Sequence, residues 1–143
     1  MNATMKKFGY PESMIKEYRH WVVLLRPQQV TLGALILICK DDADSFSKVS
    51  SGAYSELKEV TTAIERHLGG IFAYDKINYL MLMMVDPDVH FHVLPRYAQS
   101  QLFAEENFID SGWPGPPDLA RWNEPDEMVI RKLLQELRKN FTD

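Results

Sequence analysis

Two histidines, His90 and His92, occupy alternate positions in Asp88-Val89-His90-Phe91-His92-Val93, a run in which polar and apolar side chains take turns without a break. They are half of the chain's four histidines. Strict alternation is the mark of a half-buried β-strand, so Val89, Phe91 and Val93 would anchor a core while Asp88, His90 and His92 share the other face. Neighbours on one face of a strand lie about 6.6 Å apart along the backbone, twice the ~3.3 Å rise, close enough for two imidazoles to hold one small anion such as a phosphate. Three readings fit these residues. The rings can be tolerated polar groups on the wet face of an edge strand. They can form a metal shell with Asp88 as third ligand and water in the open position. No Glu-x-x-His or Cys-x-x-Cys accompanies them, however, and His20 and His67 fall on separate elements. In the third reading a neutral imidazole, largely unprotonated at pH 7 with an ordinary pKa of ~6.5, attacks phosphorus while its neighbour supports the phosphoryl oxygens or the leaving group.

The composition narrows the ligand. A chain of 143 residues with 45% hydrophobic content suits one domain over residues 1–143 that buries about two thirds of its unfolded surface. A net charge of −4 lacks the excess of Lys and Arg that nucleic acid or an anionic membrane demands, which leaves small molecules as the expected partners. The single cysteine, Cys39, follows the apolar run Leu35-Ile36-Leu37-Ile38 and reads as a buried core thiol in a non-oxidising compartment. No apolar signal core opens the chain, and the apolar stretch from Val30 to Cys39 is far shorter than the ~20 residues of a membrane span. A soluble, cytoplasmic protein without a cofactor is expected.

The elements that must position the histidines are legible in outline. Met14, Ile15 and Tyr18 recur at a spacing that predicts one short helix. Trp21 to Leu25 and Thr31 to Cys39 read as two strands joined through Arg26-Pro27-Gln28-Gln29, the second buried on both faces. Tyr54, Leu57, Val60, Ile64 and Leu68 make a helical stripe, with Ser50 or Ser51 as N-cap and Gly69-Gly70 as terminator. His67, near the end of that helix, suits the dipole there better than a catalytic role. Ile71 to Ala73 and Ile77 to Val85 read as extended, and Asp86-Pro87 turns the chain into the histidine strand, setting methionines beside imidazoles on a surface able to hold an aromatic base. From Ala98 to Asn123 a long loop is expected, irregular around 110–118 where Gly112-Trp113-Pro114-Gly115-Pro116-Pro117 stands. A final helix from about Pro125 to Asn140 carries the stripe Ile130, Leu133, Leu134, Leu137 and Phe141.

Val89-His90-Phe91-His92-Val93-Leu94-Pro95-Arg96 resembles the signature of the histidine triad (HIT) superfamily of nucleotide hydrolases and transferases, His-φ-His-φ-His-φ-φ, often followed by Pro-Arg. The likeness extends over about residues 19–97, through the strand Leu32 to Leu37, the segment Asp41 to Val49, the helix with Tyr54 and Leu57, and Asp75-Lys76-Ile77-Asn78-Tyr79. The tail, residues 98–143, is more loosely similar to the fragile-histidine-triad branch. The resemblance implies an α+β fold with a five-stranded antiparallel sheet and two main helices, in a homodimer whose subunits join their sheets. It implies that His90 takes a nucleotidyl group as a covalent phosphoramidate, that His92 hydrogen-bonds the phosphate region, and that the ring of His90 is oriented by the main-chain carbonyl of Asp88. The chain departs from the pattern in having Asp88 at the first triad position, Gly33-Ala34 where Gly-His is usual, and Met83-Met84-Val85-Asp86-Pro87 in place of the phosphate-contact loop. Asp88, Asn78, Met83, Arg96 and Trp113 are the candidate substrate-binding residues, with Trp122 and Tyr97 as further candidates around the leaving group. Arg96 serves equally as a source of positive charge or as half of a structural ion pair, and Trp113 and Trp122 equally as packing residues. Two functions follow: a metal-free hydrolase or transferase cleaving a phosphoanhydride or phosphoramidate at an α-phosphate, with diadenosine polyphosphates and adenylylated small molecules as substrates, or a catalytically weak nucleotide-binding or regulatory module on the same fold.

Overall fold

The computed structural model describes residues 1–142. In chain order its elements are α1 (Ala3–Lys7), β1 (Met14–Glu17), β2 (Trp21–Leu25), β3 (Leu35–Cys39), α2 (Ser51–Ile71), β4 (Lys76–Leu80), β5 (His90–Arg96), the small hairpin β6 (Gln101–Phe103) and β7 (Glu106–Phe108), and α3 (Glu127–Asn140). The first five strands form one antiparallel sheet in the spatial order β1-β2-β3-β5-β4. This is the α+β plan with five strands and two main helices that the sequence led us to expect.

Every residue of β2 and β3 is buried, because the sheet is covered on both faces. Trp21, Val23, Leu25, Leu35, Leu37, Cys39 and Val93 point to the side of α2 and α3, where they meet Val60, Ile64, Leu68, Leu133 and Leu137. The alternate set, Val22, Leu24, Ile36 and Ile38, meets Met5 and Phe8 of the N-terminal segment. The period-two alternation thus feeds two cores rather than one core and a solvent face. Pairing of Ile38 with His90 and of Ile36 with His92 sets both imidazoles on the N-terminal side, while Phe91 faces the helices and packs against Trp21 and Phe46.

Several boundaries differ from the sequence expectation. Met14 to Tyr18 is not a helix. Met14–Glu17 pairs with β2 through a bulge between Met14 and Lys16, and three apolar residues are too few to separate a helical from an extended period. The short helix lies earlier, at Ala3–Lys7, with Asn2 as its N-cap. Gly69 and Gly70 do not end α2, which runs on to Ile71 with both glycines on its exposed side. Ser50 is the N-cap, accepting from the Ala53 amide. The strand read over Ile77 to Val85 stops at Leu80, opposite His92, and the chain leaves the sheet as a loop in which Met83 has φ 52°. The strand read over Thr31 to Cys39 begins only at Leu35, since Gly33 turns with φ +84° and a Cβ there would lie 2.9 Å from the Phe72 ring. The hairpin β6–β7 lies inside the expected loop. Ala104 and Glu105 take positive φ at its tip, where Gly or Asn would have announced the turn. Residues 110–118 are irregular, and α3 ends at Asn140 as expected but begins at Glu127, two residues after the expected Pro125, with Asp126 at the N-cap position.

Candidate active site

Nδ1 of His90 lies 2.7 Å from the main-chain oxygen of Asp88. A carbonyl only accepts, so Nδ1 carries the proton, and in the neutral ring the lone pair is left on Nε2. This orientation uses the backbone of Asp88 and owes nothing to its side chain. The carboxylate turns the other way, accepting hydrogen bonds from the Thr4 amide at 3.1 Å and the Thr4 hydroxyl at 2.9 Å. Asp88 therefore fastens α1 to the start of β5. It does not join the imidazoles on one face, because β5 begins only at His90.

The two rings are nearly perpendicular, with centroids 5.3 Å apart. Phe8 covers them both, at 6.3 Å from His90 and 6.2 Å from His92. His92 is 7% exposed and its Nδ1 is buried without a hydrogen-bond partner, so Nε2 is the nitrogen open to a ligand. Burial first, then the nearby positive charge of Arg26 and the ring of His90, hold the His92 pKa down to about 4. The ring is therefore neutral at pH 7, able to give one hydrogen bond from Nε2–H but not to act as a charged acid.

The imidazoles open onto a cavity of about 220 Å³ walled by Lys7, Phe8, Arg26, Gln28, the loop Leu82 to Asp86, His90 and His92. Lys7 bonds Asp86 at 2.7 Å, joining the N-terminal segment to that loop across the mouth. Arg26 is 6% exposed, its Nε finds no acceptor, and burial lowers its pKa. It is held in place by the turn that follows β2. Gln29, fully buried, donates to the carbonyls of Arg26 and Ala34 and accepts from the Gly33 amide.

The structure divides the sequence-selected residues into two groups. Met83 shares the cavity with His90 and His92. Arg96, Asn78 and Trp113 instead line a separate recess at the far end of β5, four residues or ~13 Å beyond His92 at the rise of a strand. Arg96 is fully engaged there. Nε donates to Asp110 at 2.6 Å, Nη2 to Asp110 and the Gly115 carbonyl at 3.0 Å each, and Nη1 to Asn78 at 2.8 Å. Of its two readings the ion pair is the one the geometry satisfies. Tyr97 is buried, its hydroxyl donating to the Leu32 carbonyl, whereas Trp122 is half-exposed. Among the described residues, no three His, Cys, Asp or Glu side chains gather as metal ligands.

Sequence reading missed Thr4, Lys7, Phe8, Arg26 and Gln28. Only Arg26 left a signal, as a cation set directly after the all-apolar run Trp21 to Leu25.

No protein-family model matches the sequence, and no curated protein matches it. Among solved structures, the chain is similar to a histidine triad protein from Bradyrhizobium japonicum, with a TM-score of 0.74 and 19% identity over 99% of this chain and 96% of that one. A histidine triad protein from Sinorhizobium meliloti gives 0.76 and 18% over 98% and 95%. A third, from Marinobacter aquaeolei, gives 0.72 and 18% over 95% and 93%. The fold is that of the histidine triad proteins.

Proposed function

We propose that the protein is a nucleotide hydrolase or nucleotidyl transferase that cleaves a phosphoanhydride or phosphoramidate at the α-phosphate through a nucleotidyl-His90 intermediate. The observation that carries this reading is the bond from His90 Nδ1 to the Asp88 carbonyl, which leaves the lone pair on Nε2 of a ring that lines the cavity. That lone pair forms a P–N bond as the bond from phosphorus to the leaving group breaks, the electron pair departing with the leaving atom. Water then attacks phosphorus and returns His90 to its starting state, or a second acceptor takes the nucleotidyl group. His92, neutral, donates Nε2–H to a phosphoryl oxygen, and Arg26 and Lys7 offset the charge that the missing loop motif would have met. The Asp88 carboxylate is turned to Thr4 and does not line the cavity, so it makes no direct contact with a phosphate held there and supplies no third ligand beside the imidazoles. Histidine triad proteins with this fold support the assignment by likeness alone.

Incubation with a diadenosine polyphosphate and with a fluorogenic adenosine phosphoramidate tests the proposal. We expect turnover of at least one, lost by a factor of about 10³ or more in His90→Ala. Turnover that persists in that variant removes His90 from the mechanism.

A nucleotide-binding module with little turnover is the second reading, favoured by the Phe8 ring packed over both imidazoles. It predicts saturable nucleotide binding with no product. A homodimer belongs to the proposal too, with the two outer edges of the sheet, β1 and β4, as the places where a second sheet would join. Sedimentation at micromolar concentration reads that directly.

A further inference from the structure

Arg26 and Arg96 are both buried, and they differ in one respect. Arg96 places Nε, Nη1 and Nη2 on Asp110, Asn78 and the Gly115 carbonyl. Arg26 places Nη1 on the Gln28 carbonyl at 2.7 Å and, weakly, on the Gln28 side chain at 3.5 Å, while Nε is buried with no acceptor. No carboxylate among the described residues pairs with it. A guanidinium withdrawn from water without an anion is an unfavourable arrangement, and one in a native structure asks for a missing partner. The main chain that carries it is fixed, its amide donating to the Ala34 carbonyl at 2.9 Å and its carbonyl accepting from Gln29, and the guanidinium itself is tethered through Nη1 to the Gln28 carbonyl.

Its position tells what the partner is. Arg26 walls the histidine cavity and also an adjoining depression of about 200 Å³ formed with Lys7, Phe8, Pro27 and Gln28. An anion held there lies next to a phosphate held by the imidazoles. Lys7 already has Asp86 as a partner, so it adds a shared charge, whereas that of Arg26 is uncommitted. Planar forked donors of this kind match phosphate oxygens in pairs.

We propose that Arg26, seconded by Lys7, forms a second anion subsite beside the His90–His92 phosphate site, so that the preferred ligand carries two linked phosphates across the two cavities. The inference rests on reading the histidine pair as a phosphate site. It goes further in selecting nucleoside di- and polyphosphates over monophosphate derivatives with an uncharged leaving group.

Binding calorimetry with inorganic pyrophosphate and orthophosphate tests this without requiring turnover, so its failure is separable from failure of the catalytic proposal. The wild-type protein is expected to bind pyrophosphate at least 10-fold more tightly than orthophosphate, and Arg26→Gln to reduce that ratio below 3. A ratio near 1 in the wild type overturns the subsite, as does a ratio unchanged in R26Q. One readout needs no variant and so stands even if R26Q does not fold. Pyrophosphate should shift the Arg26 Nε–H resonance, and saturation without any shift overturns the assignment. ADP and AMP form the second arm. An ADP-to-AMP ratio of 10 or more, with ADP tighter than pyrophosphate, identifies a nucleotide as the source of the paired phosphates. Pyrophosphate tighter than ADP identifies the inorganic ion and overturns the selection of nucleotides.

Discussion

Replacing His92 by Gln should remove a defined part of the acid sensitivity of folding. In the folded protein the ring holds a pKa of about 4, while in the unfolded chain it returns to its ordinary value of 6.5. Between these values the unfolded chain binds a proton that the folded chain refuses. Stability therefore falls as the pH drops through 6.5 and levels off below 4. Between pH 8 and pH 4.5 linkage gives a loss of about 2.5 kcal/mol, and partial access of water at the cavity mouth reduces this to about 1.5–2 kcal/mol. Urea unfolding of wild type and H92Q at both pH values isolates the contribution, because every other titrating group is common to the two proteins. We expect the wild type to lose about 1.5–2 kcal/mol more than H92Q. Equal losses, or an NMR titration of the His92 ring with a midpoint at or above ~6, would refute the claim that burial and Arg26 keep this ring neutral.

Three further outcomes follow from the packing. Gly33→Ala meets both a positive φ and the Phe72 ring at 2.9 Å, and should cost about 2–4 kcal/mol in chemical unfolding. Asp110→Ala leaves Arg96 buried without its carboxylate and should cost about 3–5 kcal/mol, whereas Glu127→Gln, in the exposed pair with Arg131, should cost under about 0.5 kcal/mol. Asp88→Ala removes the acceptor of two Thr4 hydrogen bonds while keeping the carbonyl that orients His90. It should speed amide exchange over residues 3–8 by about 10-fold, in line with ~1–2 kcal/mol of lost local stability, and still permit modification of His90.

The sequence carried the frame of the fold well and its covering poorly. The stripe from Tyr54 to Leu68 and that from Ile130 to Phe141 located α2 and α3, and the unbroken alternation around His90 located β5 and the inward face of Val93. Local pattern reports which face of an element is apolar, and those elements have one clear face. It does not report what covers the other side. Met5 and Phe8, set among lysines in a stretch without period, close the second face of the sheet, and Phe8 also roofs the imidazoles, a tertiary relation with no local trace. Strand ends failed for a related reason. Leu80 is the last residue of β4 because the chain leaves the sheet to wall the cavity, although Met81 to Val85 remain as apolar as what precedes them. The candidate residues divided along the same line. Spacing put His90 and His92 on one surface, but Arg96 and Trp113 belong to a recess at the other end of the strand, and Asp88 to the N-terminal clasp.

The most direct test of the account is a chemical quench of the protein with a nucleotide substrate labelled at the α-phosphorus, followed by peptide mass spectrometry. An acid-labile, alkali-stable nucleotidyl group is expected on His90, absent in His90→Ala and retained in Asp88→Ala. A label on any other side chain, or substrate consumed with His90 never modified, would contradict it.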